Sequence, residues 1–264
     1  MSARTETATT AGRVHRRVEH ITGMPVSLAL RGRHAQDESG RRAWREALAV
    51  LHEADRVFST WRSDSVLSRL HRGELSLADC PDELIEVLGL GEQARVQSGG
   101  AFDVRRPGPD GRTVLDPTGV VKGWAVERAA RALTGLADTD YCLSAGGDMV
   151  CHVADPTRPA WRVGIEDPHA WDRLVAIVPV RDGAVATSGL NRRGAHIVDA
   201  RSGRVPSGVA SVTVVATSLT WADIDATAAF AQGEDALRWL EGRPDRAGVV
   251  VRADGTARVF GRAA

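Results

Sequence analysis

The chain is short of cysteine and lysine, has no excess of either charge, and lacks the motifs that usually betray phosphate or hydrolase sites. Its three cysteines, Cys80, Cys142 and Cys151, form no CxxC pair and are odd in number. That argues against a disulfide framework and against a zinc site, and leaves small buried or half-buried thiols. Lys plus Arg and Asp plus Glu are 34 each, so the formal net charge is zero. A balanced chain carries no electrostatic footprint for nucleic acid or an anionic membrane, although a local basic pocket for a small phosphate ligand is compatible with it. There is no GxxxxGK[ST], no GxGxxG opening a helix, no GxSxG and no HExxH. Any nucleotide site must therefore be built another way than as a P-loop or Rossmann crevice. Residues 1–19 are polar and rich in Ser, Thr and Arg, with no apolar stretch. The expectation is a cytoplasmic protein with neither secretory signal nor membrane span. Its tail, residues 1–18, is expected to be disordered, with one domain over residues 19–264.

What is present reads as a mixed α+β chain of 264 residues, 43% hydrophobic and 26% charged. Alternation predicts a strand over residues 20–30, and Trp44, Leu48, Leu51 and Ala54 mark one stripe of a helix over 41–57. Pro81, followed by Asp82 and Glu83, opens a second helix. A third runs over 121–133 and stops near Gly135. Beyond it, strands are expected over 141–150, 161–165, 174–180, 195–198 and 211–216, then helices over 221–231 and 236–240, then strands over 248–252 and 257–260. Residues 106–112, RPGPDGR, read as an exposed loop. Helices are grouped rather than alternating with strands, which places the fold in the α+β class.

Several residues can carry chemistry. Asp223 and Thr227 are four apart, so on a helix they share a face, and a carboxylate with a hydroxyl suits Mg²⁺. Thr220 and Asp223 also fit a capping box, which would make Asp223 a helix-start residue. An imidazole such as that of His196 can accept a proton, or it can anchor the turn over residues 200–203; Asp199 follows at the exit of the same run. Lys122, the one lysine in the chain, can reach a phosphate from a helix start or stand as an exposed first-turn residue. Gly146-Gly147-Asp148 suggests close backbone approach of a ligand, or a bulge. Thr187-Ser188-Gly189 offers hydroxyls and free backbone, or an ordinary turn. Trp61 offers a stacking face, or core packing.

Four segments in order resemble one family. They are FSTWRSDSVLSRL at 58–70, LDPTGVVKGWAV at 115–126, LSAGGDM at 143–149, and the series ATSG, HIVDARSGRVP, SVTVVA and ADIDATA between Ala186 and Ala228. Together they are similar to the signatures of the bacterial FAD:protein FMN transferases, the ApbE family. The resemblance implies an ApbE-like, T-fold-type α+β domain of mixed sheets with packed helices. It implies Mg²⁺ held by Asp223, Thr227 and the carbonyl of Gly119 or a neighbour. FAD as substrate would meet Met24, Trp61, Lys122, Gly146, Gly147, Asp148, Thr187, Ser188 and Gly189. It further implies His196, or a carboxylate such as Asp199, as proton acceptor from a Thr or Ser of an acceptor flavoprotein, with AMP released. An FAD pyrophosphatase and a non-catalytic nucleotide-binding module are the alternatives. Two departures stand out. Only VRRPGPDGRTV separates Phe102-Asp103 from Leu115, where the family usually has a much longer segment. Leu190, Asn191 and Arg192 follow TSG, where the family usually has an aromatic.

Overall fold

The computed structural model describes residues 13–21, 23–108, 111–189 and 197–261. The expected strand over 20–30 is a hairpin of β1 (His15–Ile21) and β2 (Met24–Gly32), turned at Gly23 with φ 74°. Helix α1 (Glu38–Phe58) begins three residues earlier than the expected start at 41, because Asp37 accepts the Gly40 N–H at 3.1 Å and caps it. A short helix, α2 (Val66–His71), follows. Its cap Ser65 accepts from Ser68 N and donates to Ser59 O, a pattern hidden in sequence by the helix's brevity. Pro81 stands at the N-cap of α3 (Asp82–Gln97).

Where an exposed loop is expected over 106–112, β3 (Arg105–Pro107) pairs with β4 (Thr113–Leu115) as a small antiparallel hairpin. Helix α4 (Thr118–Ala130) follows, earlier than expected. The expected strand over 141–150 is two strands, β5 (Thr139–Ala145) and β6 (Asp148–His152). Gly146 and Gly147 take φ 60° and 100° between them, so the glycine pair is a two-residue hairpin turn and not a bulge. The chain continues as β7 (Trp161–Asp167), β8 (Ala170–Val180), β9 (Gly183–Gly189), β10 (Val209–Ala216), α5 (Leu219–Ala231), α6 (Ala236–Glu241), β11 (Ala247–Arg252) and β12 (Ala257–Phe260). Of the strand expected over 195–198, Ile197 and Val198 are described and carry none; Asp199 makes an isolated bridge to Arg204.

The main sheet has eight strands in the order β1-β2-β5-β6-β9-β10-β11-β12, all antiparallel. Alternation sorts its side chains onto two faces. Leu143, Ala145, Ala184, Ala186, Val212 and Val214 join the large core with α1, α4 and α5. Cys142, Cys151, Val185 and Val215 face the other way and pack with Val163, Ile165 and Val180 of the separate β7–β8 hairpin. Cys142 and Cys151 are cross-strand partners and remain free thiols. Helix α5 is apolar on nearly every side because α4, β9 and β10 surround it. No described helix is long and apolar enough to cross a membrane.

Candidate active site

A cavity of about 880 Å³ opens at one end of the main sheet. The β5–β6 turn, the end of β9 and the start of β10 form its floor. The first turns of α4 and the middle of α5 wall it on the helical side, and the end of β7 closes it from the other layer. Register shifts at Ile165–Glu166–Asp167 interrupt the β7–β8 pairing, and this bulged end is the part that borders the cavity.

Asp223 and Thr227 sit one turn apart on α5, and both line the cavity, as do Gly119 and Lys122 from α4. The capping-box reading is corrected here. Ser218 is the N-cap, accepting from Trp221 N at 3.3 Å, and Thr220 N donates instead to Glu127 Oε2 of α4 at 2.8 Å. Glu127 also takes the hydroxyls of Ser218 and Thr220, so α4 caps α5 across the interface. That frees Asp223, in the second turn, to point elsewhere. Its Oδ2 accepts the Gly123 N–H at 2.9 Å, and its Oδ1 lies 3.4 Å from Lys122 Nζ. Thr227 Oγ1 is 2.9 Å from Ser188 Oγ, which joins α5 to the end of β9.

Lys122 is also 2.5 Å from Asp148 Oδ2, at the start of β6, and Asp148 Oδ1 accepts from Thr187 N at 3.1 Å. Asp148 is fully buried. Burial, and then the charge of Asp223, push its pKa up to about 7, against the pull of Lys122 and the Thr187 N–H. Two buried carboxylates thus share one ammonium. The folded state therefore holds a proton on Asp148 that the unfolded chain releases near the ordinary aspartate range. Stability from this group is full below pH ~4 and lost as pH rises through about 7. In chelator-containing buffer, Asp148→Asn is expected to flatten the fall in Tm between pH 5 and 8; an unchanged Tm–pH profile counts against this assignment.

Among the described residues no group of three or more His, Cys, Asp and Glu could hold a metal. A cation here would rest on one carboxylate, Asp223, with the Thr227 hydroxyl and the Gly119 carbonyl. Hard oxygen donors of that kind, beside an uncompensated buried carboxylate, fit Mg²⁺ completed by water or substrate phosphate, and not zinc.

The ApbE family model matches residues 22–106 and 105–251. The chain belongs to the ApbE family. The FAD:protein FMN transferase of Klebsiella pneumoniae is 26% identical over 280 aligned residues, covering 84% of this chain and 77% of that protein. The FAD:protein FMN transferase of Rhodobacter capsulatus is 37% identical over 130 residues, covering 46% of this chain and 24% of that protein. In structure the chain resembles the flavinyl transferase ApbE of Pseudomonas stutzeri, with TM-score 0.79 and 24% identity, covering 94% of this chain and 95% of that one. It also resembles the ApbE protein of Thermotoga maritima, with TM-score 0.80 and 20% identity, covering 94% and 97%. These likenesses establish the α+β ApbE fold.

With the ApbE fold in place, the remaining candidates sort by position. Gly146, Gly147, Thr187, Ser188 and Gly189 all line the cavity, whereas Asp148 lies just behind it, reached through Lys122. Met24 opens β2, half-buried and paired in register with Ile21, and Trp61 is 94% exposed beyond α1; neither lines the cavity. Asp199 sits beside the lining residues Val198 and Ala200. Burial raises its pKa, but hydrogen bonds from Arg201 outweigh this and hold it below the ordinary value, which makes it a weak proton acceptor. His196 and residues 190–192 lie outside the described residues, as do residues 1–12 of the tail expected over 1–18; the rest of that expectation is corrected, since residues 15–18 belong to β1 and pair with β2. Sequence reasoning missed Phe102, Arg105, Arg106, Asp116, Glu166 and Asp167 as lining residues, because each reaches the cavity from a hairpin or loop whose position no periodicity encodes.

Proposed function

We propose that this chain is an FAD:protein FMN transferase that moves the FMN half of FAD onto a Thr or Ser hydroxyl of an acceptor protein and releases AMP. Membership in the ApbE family and relatives of that name support a flavin transferase enzyme. The observation that carries the finer reading is the convergence, in one cavity of dinucleotide size, of Lys122, Asp223, Thr227 and the Thr187-Ser188-Gly189 strand end. Asp223, Thr227 and the Gly119 carbonyl would hold Mg²⁺, which when bound supplies charge neutralisation on the pyrophosphate oxygens.

The chain's own residues then have distinct tasks. Lys122, fixed by Asp148 and Asp223, offers a point charge to a phosphate oxygen. The backbone of Thr187-Ser188-Gly189 and the glycine turn give close approach for the ribityl or ribose chain. The acceptor hydroxyl oxygen bonds to the FMN-side phosphorus as the bridging P–O bond breaks. AMP leaves with that electron pair, and the hydroxyl proton passes to His196 by the family's pattern.

Coexpression with a candidate flavoprotein, followed by mass spectrometry, tests this. A gain of one FMN mass on a Thr or Ser peptide is expected. FMN and AMP formed equally fast without an acceptor would make the chain an FAD pyrophosphatase instead. FAD that stays intact with Mg²⁺ and acceptor present would make it a binding module.

A further inference from the structure

Three cations line the cavity among the described residues: Lys122, Arg105 and Arg106. Two already have carboxylate partners within the protein. Lys122 serves Asp148 and Asp223. Arg105 serves Glu92 through Nη2 at 2.6 Å and Asp103 through Nε at 3.0 Å. Neighbours on a strand point to opposite sides, so Arg105 turns to α3 while Arg106 turns to the start of α4. There Arg106 Nε meets Asp116 Oδ2 at 3.2 Å. The other oxygen of Asp116 holds Thr118 through its N–H at 3.2 Å and its hydroxyl at 2.6 Å. Arg106 is therefore moored beside the helix that carries Gly119 and Lys122. Its two terminal amino groups make no hydrogen bond among the described residues, and its side chain is 45% exposed.

The buried end of the cavity has two carboxylates against one ammonium, and a pyrophosphate brings further negative charge. A guanidinium held by one edge presents its other edge as a fixed pair of donors, the geometry that suits a phosphate. We propose that Arg106 is a substrate-binding residue that donates its free guanidinium edge to a phosphate oxygen of the dinucleotide. The inference rests on the reading of the cavity as an FAD site and adds a contact from the β3–β4 hairpin.

The test is calorimetric binding of FAD, ADP and riboflavin to the full chain in EDTA, which separates binding from turnover. Arg106→Gln is expected to weaken FAD and ADP about 10–100-fold, the range for a charge-assisted hydrogen bond, and to leave riboflavin unchanged. Arg106→Lys is expected to recover part of the loss, since it keeps the charge but not the fork. Thermal melting checks the fold, and an exposed hairpin residue is expected to leave Tm unchanged. Unaltered FAD and ADP affinity in Arg106→Gln overturns the proposal. So does an equal loss for riboflavin, which would mean that the guanidinium stacks on a ring. A wild-type chain that binds neither FAD nor ADP, with Mg²⁺ present as well as in EDTA, overturns the FAD-site reading and this contact together.

Discussion

Asp223→Ala is expected to lower Mg²⁺-dependent FMN transfer by about a thousandfold or more, with little loss of stability. The first half follows from its being the one carboxylate in the proposed donor set. Metal charge stabilisation is worth several kcal/mol, at about 1.4 kcal/mol per decade of rate. The second half follows from the helix start. Ser218 and Glu127 satisfy the first turn of α5, so removing Asp223 uncaps nothing. It costs the hydrogen bond from Gly123 N, and it relieves the repulsion that raises the pKa of Asp148, so the two effects oppose each other. Thr227→Ala is expected to fall only about tenfold, since it removes a neutral ligand whose hydroxyl also bonds Ser188. Transfer rates across a Mg²⁺ titration, measured beside Tm, decide the matter. An Asp223→Ala protein that transfers FMN at near the wild-type rate removes Asp223 from the proposed donor set.

The second large effect is expected from a methyl group. A Cβ on Gly123 would sit 2.8 Å from Asp223 Cβ, 2.8 Å from Leu219 O and 3.2 Å from Asp223 Oδ2. Two of these three atoms are held by the α5 backbone, so Gly123→Ala must push α4 and α5 apart. Overpacking of this kind costs about 1–3 kcal/mol, against roughly 1 kcal/mol of improved helix propensity. Gly89, exposed in the middle of α3, has nothing within 4 Å of its Cβ position apart from its chain neighbours and its own helix backbone. Gly89→Ala is the control and should gain up to about 1 kcal/mol from propensity alone. Gly123→Ala should melt earlier and, because Asp223 moves with α5, transfer FMN about 10–100-fold more slowly, the scale of loss for a misplaced catalytic geometry. Equal Tm and rate in Gly123→Ala and wild type would show that the helix contact tolerates a methyl and does not position Asp223.

Much of the scaffold was legible because periodicity is local. The stripe of α1, the Pro81-Asp82-Glu83 start of α3 and the four-residue spacing of Asp223 and Thr227 depend only on neighbours along the chain. Reading errors fell where two local signals of equal strength competed. Gly146-Gly147 inside an apolar run suits a bulge or close backbone approach of a ligand; the positive φ of both residues makes the pair a hairpin turn, and it lines the cavity. Thr220 to Asp223 suits a capping box, but the preceding Ser218 reaches Trp221 N, and Glu127, 93 residues away in sequence, takes the Thr220 N–H.

The sequence by itself determined the family, the α+β class and the residue types able to hold a hard cation and a phosphate, since each is a matter of order, spacing and side-chain chemistry. Only the tertiary structure decided which groups share charge. Asp148 and Asp223 compete for Lys122 because a hairpin turn and two packed helices bring residues far apart in sequence within ion-pairing distance. Likewise, Arg105 is paired with Glu92 of α3 while Arg106 meets Asp116 beside the start of α4, because strand alternation sends the two side chains to opposite sides. Charge balance in a buried site depends on distances across the fold, and those exist only once the core has closed.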